Sequence, residues 1–281
     1  MSSRNAIDLS KLPPLNIIDE TTYQDELATV TANANLPNPS PADPAYRIAS
    51  AMCYRHRLFR QKINEQIYGL TLAGANGPQL DHIGLTYYQT PRHAGEIDDD
   101  YRNRLQLEPE GKSVAGPEGA YIFHALSADA VVKDVVVHSP EPVEVDLYIL
   151  THEGNGQPTP GLLKQVRDYL EPFRPLTDKL TVRAPQRLHE YTIDAVLHLK
   201  GGPEASIIEA LTRKRLQTYI NHHNYFGAQI TESSIHAALT VEGVEKVELK
   251  NWTDYQCQPA EAAFCENIKL TLRQLEQHEW S

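Results

Sequence analysis

The stretch 107–126, LEPEGKSVAGPEGAYIFHAL, holds the residues most suggestive of chemistry, because Gly111-Lys112-Ser113 precedes a helical pattern. A phosphate-gripping loop carries a further glycine five residues before the second, so that successive N–H groups curl around the oxyanion. That position is Gln106, and the preceding EIDDDYRNRLQL is charged and helix-patterned where a buried strand is required. The triplet therefore reads as a connector. Zinc-protease spacing is missing from the twelve histidines: Gly-Asn-Gly follows His152-Glu153, and Tyr-Thr-Ile follows His189-Glu190. Cys257 and Cys265 lack a close Cys or His pair, and His124 sits in an otherwise apolar helix. The run Asp98-Asp99-Asp100 neither alternates nor carries the glycine of a calcium loop, and acids gathered at a helix start favour its dipole. No nucleophile elbow or dinucleotide fingerprint occurs. A pair of carboxylates for sugar cleavage is defined by spatial separation, which a sequence does not display. The sequence thus assigns no catalytic, metal-ligating or cofactor-binding residue.

The elements around these residues belong to a chain of 281 residues, enough for two or three folding units. Its 41% apolar and 22% charged content is that of an ordinary globular protein. A net charge of −11 opposes nucleic-acid binding, which needs clustered Lys and Arg. Three cysteines do not make a disulfide scaffold, so free thiols in a reducing compartment are expected. MSSRNAIDLSKLPPL lacks the apolar run of a signal peptide, and no stretch is long and apolar enough for a membrane anchor.

Residues 20–106 read as helical. LPNPSPADP separates a short helix (about 20–33) from a long one that Asp43 caps and Pro44 opens. Along the long helix Ile48, Met52, Phe59, Ile63, Ile67 and Leu70 recur at helical spacing, while Arg55, Arg57, Arg60 and Lys62 stud other faces. At roughly 28 residues it is long for a globular domain, which points the stripe toward a partner; the alternative is an internal core face. NGPQLDHIG predicts a short helix capped by Asn76 with Leu80, Ile83 and Leu85 buried, and EIDDDYRNRL predicts another.

Beyond the connector 107–118 the pattern is mixed. VKDVVVHSPEPVEVDLYIL reads as a hairpin with one apolar side built on Val143, Val145, Leu147 and Ile149. Helices are expected over Thr159–Phe173 and about 204–222, the latter with Ile208, Leu211, Leu216, Tyr219 and Ile220 inward, and Tyr191–Leu199 alternates as a strand. IFHALSADAVVKDVVV (122–137) echoes SIHAALTVEGVEKVEL (234–249), each a helix, turn and strand followed by a second strand, the later one closed by ENIKLTL. The expected fold class is α+β: a helical N-terminal region followed by duplicated small α+β units with largely antiparallel sheets. The divisions are 1–106, 107–185, 186–272 and a charged tail 273–281. Gly111, Gly116 and Pro117 are expected to act as a hinge between the helical and α+β parts.

ANGPQLDHIG, EIDDDYRNRLQLEPEGKSVAGPEGAYIFHALSADAVVKDVVV, RPLTDKLTV and PAEAAFCENIKL stand in an order that resembles the baseplate J-like assembly proteins of contractile-tailed phages and related injection devices, across residues 15–272. The resemblance implies a structural, non-enzymatic subunit of the virion tail baseplate, made in the host bacterial cytoplasm. It implies copies joined to each other and to other wedge proteins in a ring around the tail hub, relaying the rearrangement that releases the sheath. On that view the long helix joins a helical bundle through Ile48, Met52, Phe59, Ile63, Ile67 and Leu70. A tail-associated hydrolase of the cell envelope and an assembly chaperone that leaves the particle remain the alternatives.

Overall fold

The computed structural model describes residues 7–13, 15–19, 21–36, 40–200 and 205–274. Residues 201–204, part of the proline-rich break and residues 275–281 of the charged tail lie outside them. The chain forms two compact units, one from residues 7–92 and 97–105, the other chiefly from residue 106 onward together with 93–96.

The helical unit holds α1 (Tyr23–Asn33), α2 (Pro44–Tyr68), α3 (Pro78–Tyr87) and the start of α4 (Asp98–Gly111). Asp43 opens α2 as its sequence predicts: the carboxylate accepts the Ala45 N–H at 2.8 Å, and Pro44 occupies a first-turn position where no N–H is needed. α1 packs on α2 through Leu27, Ala49 and Cys53, where the small residues of α2 let the helices approach. Near the other end of α2, the buried Asn64 amide holds a bend in the chain, its oxygen accepting the N–H groups of Ile17 and Ile18 and its nitrogen donating to the Ile18 carbonyl. One side chain there satisfies three backbone groups that would otherwise be unpaired.

A second cluster surrounds the fully buried Tyr101, with Leu80, Ile83 and Leu105. The Tyr101 hydroxyl donates to the Thr90 carbonyl at 2.6 Å, and the Arg92 and Arg104 guanidinium groups lie 4.6 and 5.3 Å from its ring centre. Arg92 also pairs with Asp81 and Asp98. Gly84 permits this packing, since a Cβ there would lie 1.8 Å from the Tyr101 hydroxyl oxygen. Two expectations fail. The cap of α3 is Gly77, not Asn76, because the chain turns there at φ 51° and ψ −127°, which suits glycine, and the Gly77 N–H is taken by Asp98. Leu85 is exposed, since the inward face of α3 is used by Leu80, Ile83 and Gly84.

The second unit is built on two three-stranded sheets, giving the expected α+β class. α5 (Glu118–Ala128), β1 (Val132–His138), β2 (Glu144–Thr151), α6 (Pro160–Leu170) and β3 (Lys179–Arg183) form the first half. β1 pairs antiparallel to β2, and β3 returns parallel to β2 after the α6 crossover. β4 (Arg187–Leu199), α7 (Ala205–His223), β5 (Gln229–Ile230), α8 (Glu232–Leu239), β6 (Val244–Leu249), β7 (Tyr255–Gln256) and β8 (Glu261–Gln274) form the second. β4 lies between β6, antiparallel, and β8, parallel. Tyr191, Ile193, Ala195, Leu197 and Leu199 on alternate positions of β4 enter the core, as their spacing requires.

The β1–β2 hairpin is buried on both faces, not one. Val145, Leu147 and Ile149 meet α5 and α6, whereas Val136, Tyr148 and Leu150 meet Phe226, Ala260 and Ala262 of the second half. Val143 leaves the strand in a turn at φ 67° and is exposed. Asp134 ties the halves further, one carboxylate oxygen accepting the Phe226 N–H at 2.8 Å. On α7, Leu211 is exposed and the fully buried Thr212 takes its inward place. The echoing stretches fold alike locally, α5 into β1 and α8 into β6, but continue differently. β1 folds back on β2; β6 pairs with the earlier β4, and the closing strand β8 lies on the far side of β4.

The Gly77 N–H, more than the Arg92 partner, holds the Asp98 carboxyl below the 3.8 of an ordinary aspartate. A lowered folded-state pKa contributes stability in full above the unfolded value and loses it as pH falls through the folded value. Thermal unfolding should therefore show an acid loss of stability setting in below about pH 4, smaller in Asp98→Asn. Equal acid sensitivity of the two proteins would contradict this linkage.

Candidate partner-binding interface

On α2, residues advance by roughly 100° each, so Ile48, Met52, Phe59, Ile63, Ile67 and Leu70 fall within an arc of about 100°. The side facing α1 is a neighbouring arc occupied by Tyr46, Ala49 and Cys53. The six predicted residues are thus brought to one side of the helix and are not the buried face of its own unit. Ile48, Met52, Phe59 and Leu70 are 63, 64, 60 and 72% exposed, while Ile63 and Ile67 are half-buried. Leu70 extends the stripe just past the helix, beyond the Gly69 cap. Phe59, Ile63, Ile67 and Leu70 line a groove of about 310 Å³ together with Lys62, Gln66 and Gln79. Covering side chains of this size is worth roughly 1.5–3 kcal/mol each when burial is complete.

Sequence reasoning missed the exposed Tyr54 and Leu58, which form a shorter apolar pair on another flank of α2. Their spacing of four was the available signal. It also missed Asn64, because an asparagine inside a helix gives no sign of the distant segment it holds.

The connector residues are closely packed. Gly111 ends α4, so carbonyls rather than N–H groups converge at Gly-Lys-Ser, and Lys112 pairs with Glu108. A Cβ on Gly111 would lie 2.2 Å from a Phe123 ring carbon, and one on Gly116 2.6 Å from Pro175 Cγ. Gly116 adopts φ 67°, and Pro117 caps α5. His124 Nε2 lies 3.0 Å from the Gly111 carbonyl, and its ring stacks on Phe173 at 3.9 Å. Burial pushes the His124 pKa down against the opposing pull of that carbonyl. These glycines permit close approach of the connector to Phe123 and Pro175.

The remaining polar candidates act as structural ties. His189 meets Glu261 at 3.0 Å across the β4–β8 ladder, and the Asp98 carboxylate is engaged by Gly77 and Arg92. Among the described residues, no three His, Cys, Asp or Glu side chains are grouped to hold a metal ion.

The Baseplate J-like N-terminal domain pattern matches residues 42–94, which contain the whole of α2 and α3, and the Baseplate J-like central domain pattern matches 113–184. Baseplate protein J of Escherichia phage P2 is 36% identical over 293 residues, covering 94% of this chain and 97% of that protein. The chain belongs to the baseplate J-like family. The match to the P2 protein runs through both compact units, so the exposed α2 stripe and the connector are features of a chain related to it nearly end to end. The central-domain match covers α5 through β3.

Gly116→Ala places a side chain at positive φ and against Pro175. Thermal unfolding should show a loss of about 2 kcal/mol. An unchanged melting temperature would mean that the connector relaxes freely.

Proposed function

We propose that the chain is a structural subunit of a phage tail baseplate, without catalytic activity, that joins other baseplate proteins through the apolar face of α2. Its near full-length similarity to Baseplate protein J supports the baseplate assignment. The observation that carries the interface is the exposed stripe itself. Three large apolar side chains stand in water along one side of a capped, continuous helix and Leu70 continues them just past its end, a surface of the kind that marks contact with another protein. The finer reading places the subunit in the wedge, with copies joined in a ring around the tail hub and the ring's rearrangement leading to sheath contraction. In this reading 1–106 forms the partner-binding helical region, and 107–185 and 186–272 form the α+β body that makes ring contacts.

Met52→Asp, Phe59→Asp and Ile63→Asp combined should leave the isolated chain folded, because two of the three positions are mostly solvent-exposed. Three lost apolar contacts should weaken association with baseplate partners by at least about a hundredfold. Circular dichroism of the purified variant and its recovery in tail particles, by mass spectrometry, measure the two effects. Normal incorporation would remove α2 as the interface. Collapse of the fold would make the stripe a core element.

A further inference from the structure

The long last strand leaves one side of its sheet open. β8 runs beside β4 from the Arg187–Glu261 pair to the Leu199–Gln274 pair, with Glu266 bulged out of the ladder, and is the outermost strand of that sheet. Its first residues are covered: the Gly227 N–H donates to the Glu261 carbonyl at 2.9 Å, and Phe226 bridges to Ala262. Past the bulge, residues 267–274 form an unbroken run of about 26 Å, in which every second residue turns its N–H and C=O away from β4. No backbone group of another described residue pairs with that outer edge. The run contains neither a proline nor a further bulge, two of the devices that close exposed edges.

The two faces of this run specify what can be added to it. Ile268, Leu270 and Leu272 are half-buried and pack on the core, whereas Lys269, Thr271 and Arg273 on the opposite face are exposed. Neither Lys269 nor Arg273 forms an ion pair with another described residue. We propose that the β8 edge takes an extended segment of a different protein chain as a fourth strand, with apolar side chains beside Ile268, Leu270 and Leu272 and Asp or Glu beside Lys269 and Arg273. Backbone hydrogen bonds give strand addition its affinity, and cross-strand side-chain pairs give it selectivity. Lysine on an edge resists indiscriminate pairing, and with Arg273 four residues on it selects for an acidic strand. A second copy of β8 laid antiparallel on the first would gather the cations of both strands on one face, which like-charge repulsion disfavours. The edge belongs to the α+β unit, and the proposal does not depend on the α2 interface.

The test uses the full chain and two short fluorescent peptides with identical valine positions, alternating with Glu in one and with Lys in the other. Fluorescence anisotropy should show the Glu peptide binding at least about tenfold more tightly than the Lys peptide at low salt. Hydrogen exchange should show amides within 267–274 gaining protection when the Glu peptide is bound. Lys269→Glu with Arg273→Glu, both at exposed positions, should reverse the preference while circular dichroism stays unchanged. Equal affinities, a preference that survives the charge reversal, or binding that leaves 267–274 unprotected would overturn the proposal, as would failure of the unaltered chain to bind the Glu peptide. A dimer in sedimentation whose 267–274 amides are protected without any peptide would assign the edge to a second copy and overturn it as well.

Discussion

The helical unit is governed by a mismatch between the apolar surface that α2 carries and the surface available to cover it. α1 is only Tyr23–Asn33 and buries Ala49 and Cys53, small residues that suit close helix approach. The larger side chains, Ile48, Met52, Phe59 and Leu70, lie on the adjacent arc and remain in water. Apolar surface held in water has a standing free-energy cost, which association with a complementary face removes. The Asp43 cap, the Pro44 start and the Asn64 clamp keep the helix continuous and in place, so the stripe is presented preformed. A preformed surface loses less conformational entropy when it binds than one that must order first.

The α+β unit follows a different logic. Its halves share the β1–β2 hairpin as a common wall, apolar on both faces, and the buried Asp134 carboxylate joins β1 to the backbone of Phe226. An alternating strand with one solvated face would have left each half separate. The two halves therefore share one continuous packed body.

Much of this was legible in the sequence. The cap at Asp43, the proline at Pro44 and the helical spacing of the stripe are local signals, and so is the strict alternation from Tyr191 to Leu199. What failed depended on partners far along the chain. The second buried face of β2 needs Phe226 and Ala262, and Leu85 and Leu211 reach water because Gly84 and Thr212 hold the positions facing the core. That a Cβ at Gly111 or Gly116 would meet the ring of Phe123 or of Pro175 was likewise not visible in the local sequence. For the stripe itself, spacing located the residues without saying whether they faced inward; Ile48, Met52, Phe59 and Leu70 are exposed in the fold, and Ile63 and Ile67 are half-buried.

A reconstruction of the assembled baseplate containing this chain is the most direct test of the central claim. The account predicts that Ile48, Met52, Phe59, Ile63, Ile67 and Leu70 are sealed against a helix from a neighbouring subunit. An assembled particle in which that side of α2 still faces solvent, with the neighbouring chains gripping the subunit elsewhere, would contradict it.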